Sequence, residues 1–480
     1  MKLREVLRNL DIISADIDMD AEISGIRCDS RKIEKDFLFV AIRGFETDGN
    51  KYISKALENG ASVVITDNKK YFAKNRILVR DARVALAVTS KNFRGDPTRD
   101  MKMIGVTGTN GKTTVTYLIK NALEKNGAKC GLIGTNKNMI GDKVLDTERT
   151  TPESDALWEL FAEMRDAGCT HVIMEVSSHS LSLSRVYGIE YDVAAFTNIS
   201  QDHLDFHKSM TKYEEAKEKL FHQSRTSVIN YDDEAGKRIS KTAEGRVITY
   251  SAKESMADYV AKNINLKPQR VEFEFVGIDT IGRVELGIPG EFSVYNAMCA
   301  MSVLLSLGLS LPEILSAMRE MKGVSGRAEV VPTDSDYTVM IDYAHSPDGL
   351  INILKTVREV TDGRVITVFG CGGDRDRTKR PKMGKVVAEC SDIVVVTSDN
   401  PRTENPDAII DDIIPGILEV RSDYIRESDR IKAINKALSI AETGDIVLLA
   451  GKGHETYQEI NHIKHHLDER EVVKEYFAER

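Results

Sequence analysis

The sequence predicts an α/β protein of three domains: a central sheet of the phosphate-loop type, a C-terminal Rossmann-like α/β domain and a smaller N-terminal α/β domain. The 480 residues and 53.5 kDa correspond to about three domains of ~150 residues each. Short apolar strands alternate with amphipathic helices, a pattern typical of parallel sheets covered by helices. A glycine-rich turn between a strand and a helix, at residues 105–114, marks the central sheet.

The composition is that of an ordinary folded protein. Hydrophobic residues make up 41% and charged residues 29%, so several cores can form and intrinsic disorder is excluded as the main state. A net charge of −9 argues against a nucleic-acid-binding surface. Six scattered cysteines without a C-x-x-C pair fit a reducing cytosol. Because neither a signal-peptide core nor an apolar run of about 20 residues is present, we expect a cytoplasmic protein that binds no membrane.

Two boundaries divide the chain. The first is the polar stretch 94–100, which contains glycine and proline and ends an N-terminal domain at residues 1–98. In that domain we predict strands at 36–44 and 61–68, with a helix at 51–60 between them. The second boundary lies near Met321, after a helical stretch at 296–308. It separates a central domain at 99–324 from a C-terminal domain at 325–480.

Predicted strands lead directly into polar loops in both larger domains. The strand that begins at Met101 enters the glycine-rich turn, and Gly127 ends the helix that follows. Three buried strands in the C-terminal domain, within 364–370, 392–398 and 445–451, each run into a polar loop. Ligands collect at the carboxyl ends of strands in open α/β sheets, so these loops are candidate sites.

The strongest local signal is the run Gly105-Val-Thr-Gly-Thr-Asn-Gly-Lys-Thr-Thr114. Its glycines allow backbone N–H groups to approach phosphate oxygens, and the helix N-terminus adds positive potential. Lys112 would contact the β- and γ-phosphates, and Thr113 would serve Mg²⁺. Val106 occupies the first glycine position of the strict pattern, so the loop is a variant. The alternative is a glycine-rich turn that binds no ligand.

Candidate metal ligands follow two strands of the central domain. Glu175 ends the predicted strand 171–176, where it is placed either to bind Mg²⁺ or to be a solvated strand-end residue. His203 and His207 are four residues apart and would suit zinc on a helix. The H-E-x-x-H order is absent, however, and local loop capping is the alternative.

Lys217 lies on the apolar face of a predicted helix. Tyr213, Ala216, Lys217 and Leu220 share that face by their i, i+3, i+4, i+7 spacing. An inward lysine must be paired, chemically altered or extended to the surface. From the residues alone, we expect Lys217 to extend its ammonium to the surface.

The loops after the three C-terminal strands bring opposite charges to one edge of the sheet. Arg375, Asp399, Arg402 and Glu455 lie in these loops. Arginine binds a carboxylate with two parallel hydrogen bonds, and a carboxylate binds an ammonium, so the set suits a free amino acid. The alternative is a solvated ring of surface ion pairs.

Together, these motifs resemble those of the Mur ligases. The resemblance covers essentially the whole chain and rests on GVTGTNGKTT, MEVSSH, DHLDFH, YEEAK, DYAHSPD, FGCGGDRD, DNPR and GKGHE, in this order. It is greatest to the members that add the third residue of the peptidoglycan stem peptide. It implies that the three domains bind, in order, a uridine nucleotide, ATP and an amino acid. The implied reaction is ATP-dependent amide formation, in which a D-glutamate γ-carboxylate is phosphorylated and then attacked by an amine.

The resemblance implies catalytic roles for Lys112, Glu175, His203 and Lys217. By resemblance, Thr113 and Glu175 bind one Mg²⁺, His203 helps to hold a second, and Lys217 reacts with CO₂ to form a carbamate that acts as a metal ligand. His345 lies in the same strand-end segment as one of the ATP positions. The positions matched to ATP contacts are Gly108, Thr109, Asn110, Gly111, Lys112, Thr113, Thr114, Asn296, Arg327 and Asp342.

A further set of positions matches contacts to the uridine nucleotide substrate. They are Cys28, Ser30, Phe45, Glu46, Thr47, Thr150, Thr151, Ser177 and Arg185. Three positions depart from the family pattern. Arg149 and Leu183 stand where Asn and Gln are expected, and Ser293 replaces an Asn near Asn296.

The resemblance also implies which amino acid is added. The matched positions are Arg375, Asp399, Asn400, Pro401, Arg402, Gly451 and Glu455. Members that add meso-diaminopimelate carry D-N-P-R, as residues 399–402 do here, whereas members that add L-lysine lack the arginine. A buried arginine facing the lysine ammonium would be repelled and left unpaired. We therefore expect meso-diaminopimelate, with L-lysine as the alternative.

Two other functions remain as alternatives. One is a related amide ligase of the folylpolyglutamate or cyanophycin type, against which the segment Cys28-Asp-Ser-Arg31 and the D-N-P-R run both argue. The other is a nucleotide-binding regulatory module that has lost catalysis, against which the intact Lys112, Glu175, His203 and Lys217 argue. We expect a monomer.

Overall fold

The computed structural model describes the chain apart from residues 45–46, 72–74, 146, 148, 268, 322, 479–480 and the side chain of Asp205. It divides into two compact units. The first contains residues 1–260 and 298–310, and the second contains 261–297 and 311–480.

The N-terminal part of the first unit is a five-stranded sheet. Its strands are β1 (Ile12–Ala15), β2 (Gly25–Arg27), β3 (Phe37–Ala41), β4 (Ala61–Thr66) and β5 (Arg76–Val79). Its helices are α1 (Leu3–Val6), α2 (Ile53–Glu58) and α3 (Ala82–Phe93), with 3₁₀ turns at Ser30–Lys32, Gly49–Tyr52 and Pro97–Asp100. The strand order is β1-β5-β4-β3-β2, and only β1 is antiparallel to its neighbour. The two strands and the helix predicted here are confirmed.

The central part of the first unit is a larger sheet that carries the glycine-rich turn. Its strands are β6 (Lys102–Thr107), β7 (Cys130–Ile133), β8 (Asn138–Ile140), β9 (Lys143–Leu145), β10 (His171–Glu175), β11 (Tyr191–Phe196), β12 (Ser224–Asn230) and β13 (Arg246–Ser251). Its helices are α4 (Lys112–Lys125), α5 (Ser154–Asp166), α6 (Ser178–Ser182), α7 (Leu204–His207), α8 (Met210–Glu218) and α9 (Glu234–Thr242), with a 3₁₀ turn at Lys219–His222.

The order of the strands in the central sheet determines which loops lie side by side at its edge. Strands β13-β12-β11-β6-β10-β7 are parallel, and β8 and β9 continue the sheet antiparallel. The parallel strands are almost entirely buried, as expected for strands covered on both faces by helices. Because β10, β6 and β11 are neighbours, the loops after their carboxyl ends meet at one edge.

The second unit contains the C-terminal sheet. Strand β14 (Tyr259–Lys267) and helix α10 (Glu291–Ser306) each cross the boundary between the units. The further strands are β15 (Arg270–Gly277), β16 (Thr280–Leu286), β17 (Glu329–Val331), β18 (Thr338–Asp342), β19 (Val365–Phe369), β20 (Ile393–Val396), β21 (Ile425–Arg426), β22 (Ile446–Ala450), β23 (Tyr457–Ile460) and β24 (Ile463–His466). The further helices are α11 (Leu311–Glu320), α12 (Pro347–Glu359), α13 (Lys379–Cys390), α14 (Pro406–Leu418), α15 (Arg430–Ile440) and α16 (Glu469–Ala478).

The C-terminal sheet has the order β17-β18-β22-β19-β20-β21, and all but β17 are parallel. Strands β19, β20 and β22 are the three buried strands expected from the sequence, so their polar loops share one edge. The α/β class is confirmed, including the Rossmann-like character of this sheet. Among the helices that the structure describes, none has the length and apolar character needed to span a bilayer.

Candidate active site

The turn between β6 and α4 has the geometry of a phosphate-binding loop. Gly108 and Gly111 have positive φ angles of 148° and 85°, and a Cβ at Gly108 would collide with the Thr197 side chain. Lys112 Nζ donates hydrogen bonds to the carbonyl oxygens of Gly108 (3.0 Å) and Thr109 (2.8 Å). The ammonium therefore lies against the loop at the start of a helix, where an anion is favoured.

Residues after β11 brace this loop. The backbone N–H of Thr109 donates to the Asn198 carbonyl (2.8 Å), and that of Asn110 donates to Asn198 Oδ1 (3.0 Å). Thr197 Oγ1 donates to the Asn110 carbonyl at 2.6 Å. Sequence reasoning missed Thr197 and Asn198, although their place directly after a buried strand beside β6 was the available signal.

Glu175 and Thr113 form a buried pair at the end of β10. Glu175 is 1% exposed, and its Oε1 accepts hydrogen bonds from Thr113 Oγ1 and from the Thr135 backbone N–H, both at 2.9 Å. Its Oε2 accepts from Thr135 Oγ1, also at 2.9 Å. The alternative of a solvated strand-end carboxylate is therefore wrong. Thr135, which follows β7, was not found from the sequence.

This pair has the donor set that Mg²⁺ prefers. No group of three or more His, Cys, Asp or Glu side chains within the described part of the chain converges as a metal cage. A site with one carboxylate and one hydroxyl suits Mg²⁺ because that ion keeps waters and takes further ligands from substrate phosphates. Thr113 and Glu175 therefore fit the metal that the motifs imply.

Lys217 lies inside the protein, beside the phosphate loop. Its residue is 1% exposed, its Nζ donates to the Gly108 carbonyl at 2.7 Å, and the ammonium lies 4.5 Å from the centre of the Tyr213 ring. Burial, and next the nearby Lys112, hold the pKa of Lys217 well below its usual range. Its inward direction is confirmed. The expectation that it extends to the surface is wrong, because Tyr213 OH lies 3.1 Å from Thr109 Oγ1 and holds this face of α8 against the loop.

The histidines of the D-H-L-D-F-H segment both pack against the His179 and Tyr213 rings but have different polar partners. His203 has a left-handed φ of 52°, its Nε2 lies 3.4 Å from Asp202 Oδ2, and its ring centre is 4.8 Å from that of His179. His207 is buried, with its Nε2 2.9 Å from Ser178 Oγ. The zinc site considered for this pair does not form among the described residues, since no group of three ligands converges there.

Several positions matched to the uridine nucleotide are contiguous with Glu175. Thr151 Oγ1 donates to the Glu175 carbonyl at 2.8 Å and lies 3.3 Å from Ser177 Oγ. Arg185 Nη1 donates to the Thr151 carbonyl at 3.1 Å. Thr150 Oγ1 lies 3.0 Å from Thr135 Oγ1, which in turn donates to Glu175. Four of the matched positions are thus brought together with the Glu175 carboxylate.

The remaining nucleotide positions lie in the N-terminal part. The backbone N–H of Cys28 donates to Asp155 Oδ2 at 3.1 Å, and burial, followed by Asp155, raises the pKa of the Cys28 thiol. Ser30 is buried and its carbonyl accepts from Asn59 Nδ2 at 2.8 Å. Thr47 is exposed. Phe45 and Glu46 lie outside the described residues.

The three departures from the family pattern each have a local partner. Arg149 Nη1 lies 2.8 Å from Glu153 Oε1. The Leu183 carbonyl accepts a hydrogen bond from Arg83 at 3.5 Å. Ser293 is fully buried and donates to the Pro289 carbonyl at 2.7 Å, at the start of the helix that carries the buried Asn296.

In the second unit, the D-N-P-R and G-K-G-H-E loops meet at the sheet edge. Asn400 Nδ2 donates to Glu455 Oε2 at 2.7 Å, and the fully buried Lys452 lies 3.1 Å from both that oxygen and Asn400 Oδ1. Asp399 is 8% exposed, and its Oδ2 accepts no hydrogen bond from any residue described. The pKa of Asp399 is lowered overall. Burial alone would raise this pKa, but the nearby charges of Lys452 and Arg430 outweigh the effect of burial. A buried carboxylate oxygen without a donor suits a ligand ammonium.

Arg402 and its neighbours complete this edge. Arg402 Nε lies 3.1 Å from Glu459 Oε2, and its Nη1 donates to the Gly373 carbonyl at 2.7 Å. Gly451 has a φ of 116°, and a Cβ there would approach Asp399 Oδ2. Pro401 is buried, whereas Arg375 is exposed. The solvated-ring alternative fits Arg375 but not the buried Asp399.

Asp342 ends β18 and organises the turn that follows it. Its carboxylate accepts hydrogen bonds from the backbone N–H groups of Ala328 and Ala344, both at 2.8 Å. Burial raises the pKa of Asp342, and the nearby Arg327 opposes that shift. His345 Nδ1 lies 2.8 Å from the Tyr343 carbonyl, in the same turn.

Comparison with known proteins shows to which family the chain belongs. Residues 22–99 match the family description "Mur ligase family, catalytic domain", residues 106–304 match "Mur ligase middle domain", and residues 326–453 match "Mur ligase, glutamate ligase domain". A relative from Clostridium tetani, named UDP-N-acetylmuramoyl-L-alanyl-D-glutamate--2,6-diaminopimelate ligase, is 46% identical over 100% of both chains. The chain belongs to the Mur ligase family.

Other similar proteins share the full length of this Mur ligase. A relative with the same name from Caldanaerobacter subterraneus subsp. tengcongensis is 48% identical over 96% of both chains. A solved structure, also of a UDP-N-acetylmuramoyl-L-alanyl-D-glutamate--2,6-diaminopimelate ligase, is 32% identical, with a TM-score of 0.74 over 100% of this chain and 99% of that chain. The family expected from the motifs is therefore confirmed.

Proposed function

We propose that this Mur ligase joins meso-diaminopimelate to UDP-N-acetylmuramoyl-L-alanyl-D-glutamate in cytoplasmic peptidoglycan precursor synthesis, with cleavage of ATP to ADP and phosphate. The observation that carries the proposal is the convergence of Lys112, Glu175 and Lys217 on the loop at Gly108 and Thr113. That arrangement suits phosphoryl transfer between two anions, which must be screened from one another. The substrate names printed for the full-length relatives support the acceptor and the amine.

Thr113 and Glu175 would hold Mg²⁺, with His203 assigned to a second ion. Bound Mg²⁺ supplies Lewis-acid stabilisation of charge on phosphate oxygens. The buried hydrogen bonds from Thr113 and Thr135 fix the Glu175 carboxylate in place before any ligand arrives. Such preorganisation avoids reorganisation during the reaction.

The reaction proceeds in two steps. One oxygen of the D-glutamate γ-carboxylate attacks the γ-phosphorus of ATP, the bond to the β-phosphate oxygen breaks, and ADP leaves. Lys112 screens the phosphate charge. The amine of diaminopimelate then attacks the acyl carbon and loses a proton, while the C–O bond breaks and inorganic phosphate carries away the former carboxylate oxygen.

Lys217 is assigned as a carbamate. Its neutral amine adds to CO₂ and releases one proton, which converts an uncharged amine into an anion. The low pKa of Lys217 supports this assignment, because only the neutral amine reacts with CO₂. The carbamate would replace the hydrogen bond that Nζ now donates to the Gly108 carbonyl.

The substrate positions named from the motifs are part of the same proposal. The phosphate loop from Gly108 to Thr114, with Asn296, Arg327 and Asp342, is assigned to ATP. The domains at 1–98, 99–324 and 325–480 are proposed to bind, in that order, the uridine nucleotide, ATP and the amino acid. The enzyme is proposed to act as a monomer.

The D-N-P-R arginine selects the amine. Arg402 Nη2 has no hydrogen-bond partner among the described residues and is available to a second carboxylate, which meso-diaminopimelate has and L-lysine lacks. Asp399 Oδ2 accepts no hydrogen bond from the residues described, although Arg430 Nη1 lies 3.9 Å away, and it would receive the ammonium together with the Glu455 carboxylate.

Isotope transfer tests this function. The acceptor is labelled with ¹⁸O in its γ-carboxylate and incubated with ATP, Mg²⁺ and meso-diaminopimelate, and the released phosphate is analysed by mass spectrometry. The proposal predicts one ¹⁸O atom in each phosphate released and one amide product per phosphate. Phosphate without label, formed together with product, would exclude the acyl phosphate. Phosphate release without product would exclude the ligase assignment.

A further inference from the structure

A buried arginine lies directly behind the two loops that are assigned to the amino acid. Arg430 is 1% exposed and is the first residue of α15. Its Nη1 donates a hydrogen bond to the Ser398 carbonyl at 3.1 Å, and its Nη2 donates to the Ala450 carbonyl at 2.9 Å. Ser398 immediately precedes Asp399, and Ala450 immediately precedes Gly451. One guanidinium group therefore joins the starts of the D-N-P-R and G-K-G-H-E loops.

The third nitrogen of this guanidinium contacts a second buried charge. Arg430 Nε donates to Glu469 Oε1 at 2.8 Å, and Glu469, the first residue of α16, is fully buried. All three nitrogens of the group thus have a partner. Because a guanidinium is planar and rigid, it fixes the spacing of the two carbonyls to which it donates.

Stability alone does not account for this arrangement. A buried ion pair can often be replaced by apolar side chains of similar volume without loss of stability. Arg430 also lies at the N-terminus of a helix, where the helix dipole disfavours a cation. Its hydrogen bonds to carbonyl groups are nevertheless made next to the ligand loops, and its Nη1 lies 3.9 Å from Asp399 Oδ2. The alignment of these loops explains its position better than the strength of the core does.

The two loops tolerate little displacement relative to each other. A Cβ at Gly451 would lie 2.6 Å from Asp399 Oδ2, so the backbone of one loop already approaches the carboxylate of the other. A shift of either loop would therefore change the direction in which the Asp399 carboxylate points.

We propose that Arg430 is a positioning residue for the amino acid, which holds Asp399 and Gly451 in register so that the Asp399 carboxylate faces the ligand ammonium. This inference rests on the proposed function. At 3.9 Å, Arg430 places a positive charge behind Asp399 without donating a hydrogen bond to it, which leaves Oδ2 for the ligand. Glu469 acts through Arg430, because its carboxylate offsets the guanidinium charge and holds the group away from Asp399.

The test measures the steady-state kinetics of Arg430→Lys, with phosphate release from ATP as the readout and each of the three substrates varied in turn. Lysine keeps the positive charge but lacks the fork that spans both carbonyls. We expect the KM for meso-diaminopimelate to rise about tenfold, the effect of losing one charge-assisted hydrogen bond at the amino-acid loops. The KM values for ATP and for UDP-N-acetylmuramoyl-L-alanyl-D-glutamate should stay within about twofold of the wild type.

Arg364→Lys is the matched control. Arg364 Nη2 lies 2.7 Å from Asp445 Oδ2 and donates to the Ile440 carbonyl at 3.0 Å, at the ends of β19 and β22 that lie opposite the ligand loops. This variant also replaces an ion-paired guanidinium of the same sheet, but it should keep the wild-type KM for all three substrates. Thermal unfolding of both variants, followed by circular dichroism, measures the loss of stability separately from the kinetics.

Glu469→Gln provides a second test if Arg430→Lys does not fold. Glutamine keeps an oxygen for Arg430 Nε but removes the negative charge, so the guanidinium should approach Asp399 and compete with the ligand ammonium. We expect the KM for meso-diaminopimelate to rise about threefold and the KM for ATP to remain unchanged.

Two results would overturn the role of Arg430 and leave the ligase assignment intact. One is a lower thermal midpoint in Arg430→Lys with every KM unchanged, and the other is an equal rise in the KM of all three substrates. If the wild type used L-lysine in place of meso-diaminopimelate, the assigned amine would be wrong. A tenfold rise in the KM for L-lysine in Arg430→Lys would then still support the positioning role.

Discussion

At the residue scale, the side chains that carry chemistry were predictable from motifs, but their partners were not. The sequence indicated Lys112, Thr113 and Glu175 because strand, turn and helix patterns placed them at one sheet edge. It did not indicate Thr135, which holds both oxygens of Glu175. A threonine after a strand is common, and only the strand order shows that this one faces Glu175.

The environment of Lys217 was also only partly predictable from the sequence. Helical spacing correctly placed it on the apolar face of α8, but spacing could not show that the face packs on the phosphate loop. Its amine lies 2.7 Å from a loop carbonyl and is fully enclosed, so a lysine expected to reach solvent does not. Burial of this kind disfavours the charged form and makes the amine reactive.

Removal of CO₂ should therefore lower activity. We expect phosphate release by the wild type to fall at least ~10-fold in buffer stripped of CO₂ and to recover when bicarbonate is added, because an anionic ligand contributes to transition-state stabilisation. Lys217→Met should be inactive with or without bicarbonate. Lys212→Met, on the exposed face of the same helix, should behave as the wild type. Full wild-type activity without CO₂ would contradict the carbamate.

At the element scale, the buried parallel strands were the most predictable parts. Their continuous apolar runs and following polar loops are readable without tertiary information, as in β6, β19 and β22. The β15–β16 pair was not predicted. The alternation of apolar and charged residues over 271–275 was the available signal for this strand. The observed burial does not follow that alternation, because the charged Glu272 is buried between Val271 and Phe273.

The negative charge of the buried Glu272 is balanced by three cationic side chains from β14, β15 and β16. Its carboxylate lies 2.5 Å from Lys267 Nζ, 2.8 Å from Arg270 Nε and 3.0 Å from Arg283 Nη2. Hydrogen bonds from Lys267 and Arg270 lower the pKa of Glu272 to about 2. Since the folded pKa lies below the unfolded value, this group stabilises the fold above pH about 4.5, and the contribution is lost as the pH falls toward about 2.

Glu272→Gln should consequently lower the thermal midpoint at neutral pH. The difference from the wild type should shrink steadily as the pH is lowered below the unfolded pKa, because protonation removes the same charge from the wild type. Glu274→Gln, whose partner is the neutral Asn263, is the control and should show a smaller effect at neutral pH. Thermal unfolding followed by circular dichroism measures both. A difference that grows at acid pH would contradict the assignment of the ion pairs.

At the scale of the whole molecule, composition and motif order predicted the α/β class and the family. They could not predict which parts of the chain form compact units. Residues 1–100 belong to the first unit because of contacts distant in sequence, such as Arg27 and Arg94 with Glu159 at 2.9 and 2.5 Å, and Cys28 with Asp155. No pattern among neighbouring residues can indicate contacts between residues that lie more than sixty positions apart in the sequence.

The central claim is that this Mur ligase couples the cleavage of ATP to ADP and phosphate to the addition of meso-diaminopimelate. The most direct test measures phosphate release from ATP with UDP-N-acetylmuramoyl-L-alanyl-D-glutamate and Mg²⁺, in the presence of meso-diaminopimelate, L-lysine or no amine. We predict sustained release only with meso-diaminopimelate, and a kcat/KM at least ~100-fold above that for L-lysine, because Arg402 is paired by one substrate and repelled by the other. Equal rates with L-lysine would contradict the role of Arg402, and no release with any amine would contradict the ligase itself.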